Sequence, residues 1–131
     1  MQLFQKHVPA LNNLAYLYAE DRSSLSAALQ YAVRAYVLAP KDGSVQDTFG
    51  YVLLKNGKVE EGLKVLEQAA VTVRDNPSVY YHLALAYNEH KEKGAAVKYL
   101  QKALGFGDFP EYHQATALLS QLNNGTGSRV R

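Results

Sequence analysis

Three stretches of the chain share one pattern of large and small apolar residues. LNNLAYLY from Leu11, QDTFGYVL from Gln46 and YYHLALAY from Tyr80 each set a bulky residue, a small one, and another bulky one three further on. The triplets are Leu14, Ala15, Tyr18; Phe49, Gly50, Leu53; and Leu83, Ala84, Tyr87. Spacings of three and four place such residues on one helical face. A second pattern recurs in AALQYAVRA, EGLKVLEQA and AAVKYLQKA, with small residues at Ala28, Gly62 and Ala96, then at Ala35, Ala69 and Ala103. Ala15 and Gly50 lie 35 residues apart, Gly50 and Ala84 lie 34 apart, and the extra residue falls within EDRSSLS.

The pattern predicts helix hairpins. First helices are expected over residues 9–20, 44–56 and 77–90, and second helices over 24–39, 59–73 and 93–105. The polar turns DRSS, KNGK and KEK are short enough to keep each pair antiparallel. Gly57 is suited to positive φ, Ser23 or Ser24 to capping the second helix, and Asn76 to capping the fifth ahead of Pro77. Gly50 is costly inside a helix, by about 1 kcal/mol relative to alanine. Its phase with Ala15 and Ala84 gives the reason: the small position lets the first helix approach the second. The small residues of the second helices are expected to admit the neighbouring hairpins. PEYHQATALLSQL, residues 110–122, reads as a seventh helix with apolar set Tyr112, Ala115, Leu118, Leu119 and Leu122. Gln114 and Gln121 give it a polar face, as an element covering the end of a repeat array requires.

These units resemble the tetratricopeptide repeat, whose pattern is W-x2-L-G-x2-Y, then A-x3-F, then P. The second unit matches with Gln46, Phe49, Gly50 and Leu53, followed by Gly62 and Leu66. Pro40 closes the first unit, and Pro77 opens the third, displaced by the insert RDN. The resemblance spans about residues 9–107. The phrases ALNNLAYLYAE and DTFGYVLLKNGKVEEGLKVLEQA are also similar to bacterial repeat proteins of the exopolysaccharide and PEP-CTERM export type. The resemblance implies an all-α fold, a right-handed α-solenoid of antiparallel helix pairs. Three repeats are expected over 9–42, 43–76 and 77–109, then a capping helix over 110–123 and a flexible tail over 124–131. Residues 1–8, with Leu3, Phe4 and Val8, read as a leader or the remnant of an upstream repeat. On this reading the chain would be a piece of a longer array, and an exposed amino-terminal face able to self-associate is expected.

In the family, the first helices line a concave groove that holds peptides. By register the groove positions fall on Asn12, Asn13 and Tyr16; on Asp47, Thr48, Tyr51 and Lys55; and on Tyr81, His82, Leu85, Asn88 and Glu89. Tyrosines offer wide contact at low conformational cost, and amides match a peptide's N–H and C=O. The same tyrosines have a packing alternative, since Tyr18 and Tyr87 already occupy packing positions. Chaperone-tail binders of this family clamp a carboxylate with Lys or Arg. Here those places carry Asn12, Tyr16, Thr48, Ser78 and His82, which disfavours that ligand.

Composition narrows the function further. The chain is 47% hydrophobic and 20% charged, enough apolar content for a core. Net charge is +2 with both signs interspersed, and the tail's Arg129 and Arg131 form the only basic cluster. Nucleic acid is therefore not an expected partner. The absence of cysteine removes disulfides, zinc–thiolate sites and cysteine nucleophiles. No run approaches the about 18 apolar residues of a membrane span, and the amino terminus lacks a signal-peptide run. His82 and His90 stand eight residues apart, about 12 Å along a helix, too far to share a metal. His7 and His113 lie outside the repeats. Glu60 and Glu61 suit a helix N-terminus, and Gly105 and Gly107 suit a helix end. No nucleophile elbow, zinc-protease motif or phosphate loop occurs.

The expectation is a non-catalytic module, without cofactor or metal, that binds a protein or peptide segment in its groove. It would belong to a larger bacterial protein, periplasmic or cytoplasmic. The alternatives are a spacer or self-assembly unit of a longer array, and the regulatory arm of an enzyme whose catalytic domain lies elsewhere.

Overall fold

The computed structural model describes residues 7–127. Residues 1–6, with Leu3 and Phe4, and residues 128–131, with Arg129 and Arg131, lie outside the described residues. The described residues form seven α-helices and one 3₁₀ turn, in two compact units that divide between Val73 and Arg74.

The first unit holds two hairpins, α1 (Val8–Ala19) with α2 (Leu25–Leu38), and α3 (Gly43–Lys55) with α4 (Val59–Thr72). His7 caps α1, its Nδ1 accepting from the Ala10 N–H at 3.1 Å. Asp42 caps α3 by accepting from the Ser44 and Val45 N–H groups. The start of α2 departs from expectation: neither serine caps it. Asp21 instead accepts from the Ser23 N–H and from the hydroxyls of Ser23 and Ser24. These bonds build a 3₁₀ turn over Arg22–Ser24, which takes up the extra residue of the first repeat. A carboxylate just upstream turns both serines into donors, because it has several acceptor sites to fill. The same bonds hold the Asp21 carboxyl below its ordinary pKa, the Ser23 hydroxyl first among them.

Helix α3 ends in a Schellman turn. The Lys58 N–H reaches the Leu53 carbonyl at 2.9 Å and the Gly57 N–H reaches Leu54 at 3.0 Å, with Gly57 at φ 82°. Inside this hairpin, a Cβ added to Gly50 would stand 2.5 Å from Leu66 Cγ. A Cβ on Gly62 would stand 2.9 Å from the Gly50 carbonyl oxygen and 3.1 Å from the Leu54 nitrogen. Gly62 therefore serves its own hairpin, where the two helix backbones approach closely. The later small position behaves as expected: Ala35 packs with Leu11 and with Val45 of the next hairpin.

The second unit holds α5 (Pro77–Glu89), α6 (Lys93–Leu104) and α7 (Tyr112–Gly127). Asn76 caps α5 ahead of Pro77, accepting from the Ser78 N–H at 3.0 Å. Its C-terminal turn repeats that of α3, from Glu92 N–H to the Tyr87 carbonyl and from Lys91 N–H to Asn88. Lys91 here holds the left-handed conformation, at φ 65°, that glycine holds at position 57. Beyond α6, Gly107 turns the chain at φ 97°, while Gly105 stays right-handed. Ala84, Leu100 and Ala115 form the core between the hairpin and α7, with Leu118, Leu119 and Leu122 packed around it. Tyr112 sets its ring edge-on to Phe109. Helix α7 starts at Tyr112 and runs on through Gly127, past the expected end at 122.

One tie recurs in both units. Gln46 Nε2 donates to the Pro40 carbonyl at 2.8 Å, and the Tyr80 hydroxyl donates to the Arg74 carbonyl at 2.7 Å. Each side chain reaches back six residues to the loop that precedes its helix, at the position where the repeat pattern carries tryptophan.

Candidate binding surface on the first helices

In the first unit the predicted positions lie on α1 and α3. Tyr16 and Tyr51 stack with ring centroids 5.4 Å apart. The Tyr51 hydroxyl donates to a Glu20 carboxylate oxygen at 2.7 Å, and Lys55 Nζ stands 5.7 Å from the Tyr51 ring centre. Tyr51 is only 7% exposed and Thr48 is buried too, so these two pack and hold their neighbours. Asn12, Tyr16 and Asp47 are half-buried, and Asn13 and Lys55 are exposed. The packing alternative thus describes Tyr51, while Tyr16 keeps a face to solvent over a braced partner. The Asn12 side-chain oxygen is buried without a protein hydrogen-bond partner.

In the second unit the positions lie on α5. Tyr81, Leu85 and Asn88 are half-buried and Glu89 is exposed at the helix end, whereas His82 is buried beside the Tyr81 ring. Ser78 donates to the Glu111 carboxylate at 2.6 Å. His90 Nδ1 lies 2.7 Å from a Glu92 carboxylate oxygen. Among the described residues, no group of three or more histidine, aspartate or glutamate side chains is placed to hold a metal. No described helix is long and apolar enough to cross a membrane.

Two features escaped the sequence reading. Glu20 lies one turn beyond Tyr16, and only the hairpin-to-hairpin contact shows that it meets Tyr51. In the second unit, Tyr87, Tyr99, Tyr80 and Phe106 form a row of near-parallel rings, with Lys98 over Tyr99 and Lys102 over Tyr80. The spacings that build it were present: Tyr80 and Tyr87 seven apart on α5, Lys98 and Lys102 four apart on α6.

Comparison with known proteins follows the same lines. No curated protein sequence matches significantly. Among solved structures, that of MamA superposes with a TM-score of 0.75 at 19% identity, over 93% of this chain and 70% of MamA. The type III secretion chaperone SycD of Yersinia enterocolitica, in complex with a peptide of the translocator YopD, gives 0.73 at 17% identity, over 92% of each chain. The Naa15/Naa10 complex bound to HypK-THB gives 0.74 at 23% identity, over 88% of this chain and 17% of the other. These likenesses show the fold, an all-α solenoid of antiparallel helix pairs. The narrower likeness to export proteins rests on phrasing alone. A family model for the tetratricopeptide repeat matches residues 48–113, half of the sequence. With its in-phase small residues, paired helices and this match, the chain belongs to the tetratricopeptide repeat family.

Proposed function

We propose that the chain is a non-catalytic interaction module that holds a protein or peptide segment along the exposed faces of its first helices. The observation that carries this reading is the braced tyrosine pair. Glu20 and Lys55 hold Tyr51 in place, and Tyr51 supports the ring of Tyr16, so an aromatic face is presented at little further entropic cost. Asn13, Asp47 and Lys55 flank it with polar groups suited to a peptide backbone and its side chains. On α5, Tyr81, Leu85 and Asn88 offer the same mixture. Two of the solved structures of this fold, SycD with a YopD peptide and Naa15/Naa10 with HypK-THB, hold a protein or peptide partner, which supports the class of ligand.

The test begins with selection of displayed peptides on the immobilised chain. Calorimetry then compares the recovered peptides on the native chain and on two variants, Tyr16→Ala with Lys55→Ala, and Tyr81→Ala with Asn88→Ala. At least one variant is expected to bind about tenfold more weakly while keeping its helicity. Unchanged affinity in both, or a selection that enriches nothing, overturns the proposal.

A further inference from the structure

The three repeats differ at one strip of their first helices. Ala10, Asn13 and Leu17 on α1 correspond, by the 35- and 34-residue steps, to Val45, Thr48 and Val52 on α3 and to Val79, His82 and Ala86 on α5. All six of the later residues are buried, and Val52 and Ala86 are 0% exposed. In repeat 1 the strip is open: Ala10 is half-buried, Asn13 is exposed and Leu17 is 67% exposed. Within the first unit, part of what covers the α3 strip is known, since Val45 packs on Leu11 and Ala35 of the preceding hairpin. The α1 strip has the same register and is built for helical cover.

Three features specify the cover. First, α1 carries no charged residue from Val8 to Ala19, so a second α1 meets no like charge. Second, the strip is complementary to itself. An antiparallel copy, centred near Asn13, sets Leu17 against Ala10, large against small, at both ends. It also sets Asn13 beside Asn13, and an amide both donates and accepts. Third, the exposed face of α7 offers no match. The exposed residues of α7 from 113 to 121 are His113, Gln114, Thr116, Ala117, Ser120 and Gln121, polar or small. Pairing α1 with the α7 of another copy would leave Leu17 against polar groups, whereas a two-fold pairing buries it.

We propose that two copies of this chain pair through α1, antiparallel, about a two-fold axis near Asn13. This face is separate from the peptide-holding faces, apart from Asn13, and its failure would leave that reading standing.

The natural sequence contains no cysteine, which permits a direct test. Sedimentation equilibrium of the full chain is expected to show a concentration-dependent dimer. Leu17→Glu is expected to weaken dimerisation at least about tenfold, with unchanged helicity, because it puts a charge on each side of the seam. Under mild oxidation, Asn13→Cys is expected to form a covalent dimer. Leu17→Cys is expected to cross-link poorly alone but readily when mixed with Ala10→Cys. A strict monomer up to about 1 mM overturns the proposal. So does a dimer that Leu17→Glu leaves intact, or one in which Leu17→Cys cross-links to itself more readily than to Ala10→Cys.

Discussion

Gly50 and Leu66 touch across the second hairpin so closely that a Cβ on Gly50 would lie 2.5 Å from Leu66 Cγ. Real Cβ atoms do not approach carbon this way, so any larger residue forces α3 from α4. Gly94 is the contrast: it is also helical, and an added Cβ would meet nothing within 4 Å. Gly50→Ala is expected to lower stability by about 1–3 kcal/mol, with overpacking outweighing the gain in helix propensity. Gly94→Ala is expected to raise it by about 0.5–1 kcal/mol. Urea denaturation of both variants checks the pair, and the reverse order would refute the packing account of Gly50.

Lys91 occupies a backbone conformation that costs an L-residue about 1–2 kcal/mol, and Gly57 fills the same place in the preceding repeat without that cost. Nothing in the structure explains the lysine. Lys91→Gly is expected to stabilise the protein by up to about 1 kcal/mol, and Gly57→Ala to destabilise it by about as much. Thermal melts of the two variants, read against the native chain, test this.

Tyr51 and Glu20 join the first two hairpins through one hydrogen bond of 2.7 Å. Tyr51→Phe keeps the ring and its stack on Tyr16 but removes the donor. A loss of about 1 kcal/mol is expected. Combining it with Glu20→Ala should add little further, and a double-mutant cycle measures that coupling. Full additivity would mean that the bond contributes nothing in solution.

Asp21 is expected to give the fold a pH dependence whose sign follows from its hydrogen bonds. Three hydrogen bonds from Ser23 and Ser24 favour its carboxylate and lower its pKa from 3.8. A group lowered on folding stabilises above its unfolded value and loses that contribution as pH falls through the folded one. The melting temperatures of the native chain and Asp21→Ala should therefore differ at neutral pH and converge below pH 3.8. A gap that persists in strong acid would show that the turn does not depend on the charge.

Much of the fold was legible in the pattern. The helices start and stop within about two residues of the expected bounds up to α6, because caps such as Asn76 and turns such as Asn56–Gly57 are local chemistry. The start of α2 was read less well. Serine is a good cap in isolation, and only the placement of Asp21 shows that both hydroxyls donate elsewhere. The candidate surface was half legible. Register placed its twelve positions on the first helices but could not sort Tyr16, half-buried, from Tyr51, buried and bonded.

The sequence by itself determined the periodic quantities: helix phase, repeat length, turn chemistry and the small residues that let helices meet. These follow from neighbours three, four or about 34 residues away, and spacing carries them. The tertiary structure alone decided which of the equivalent residues face water. Leu17, Val52 and Ala86 share one register, yet only Leu17 is open. Exposure depends on what lies across the gap, and a residue's place in its own helix does not encode that.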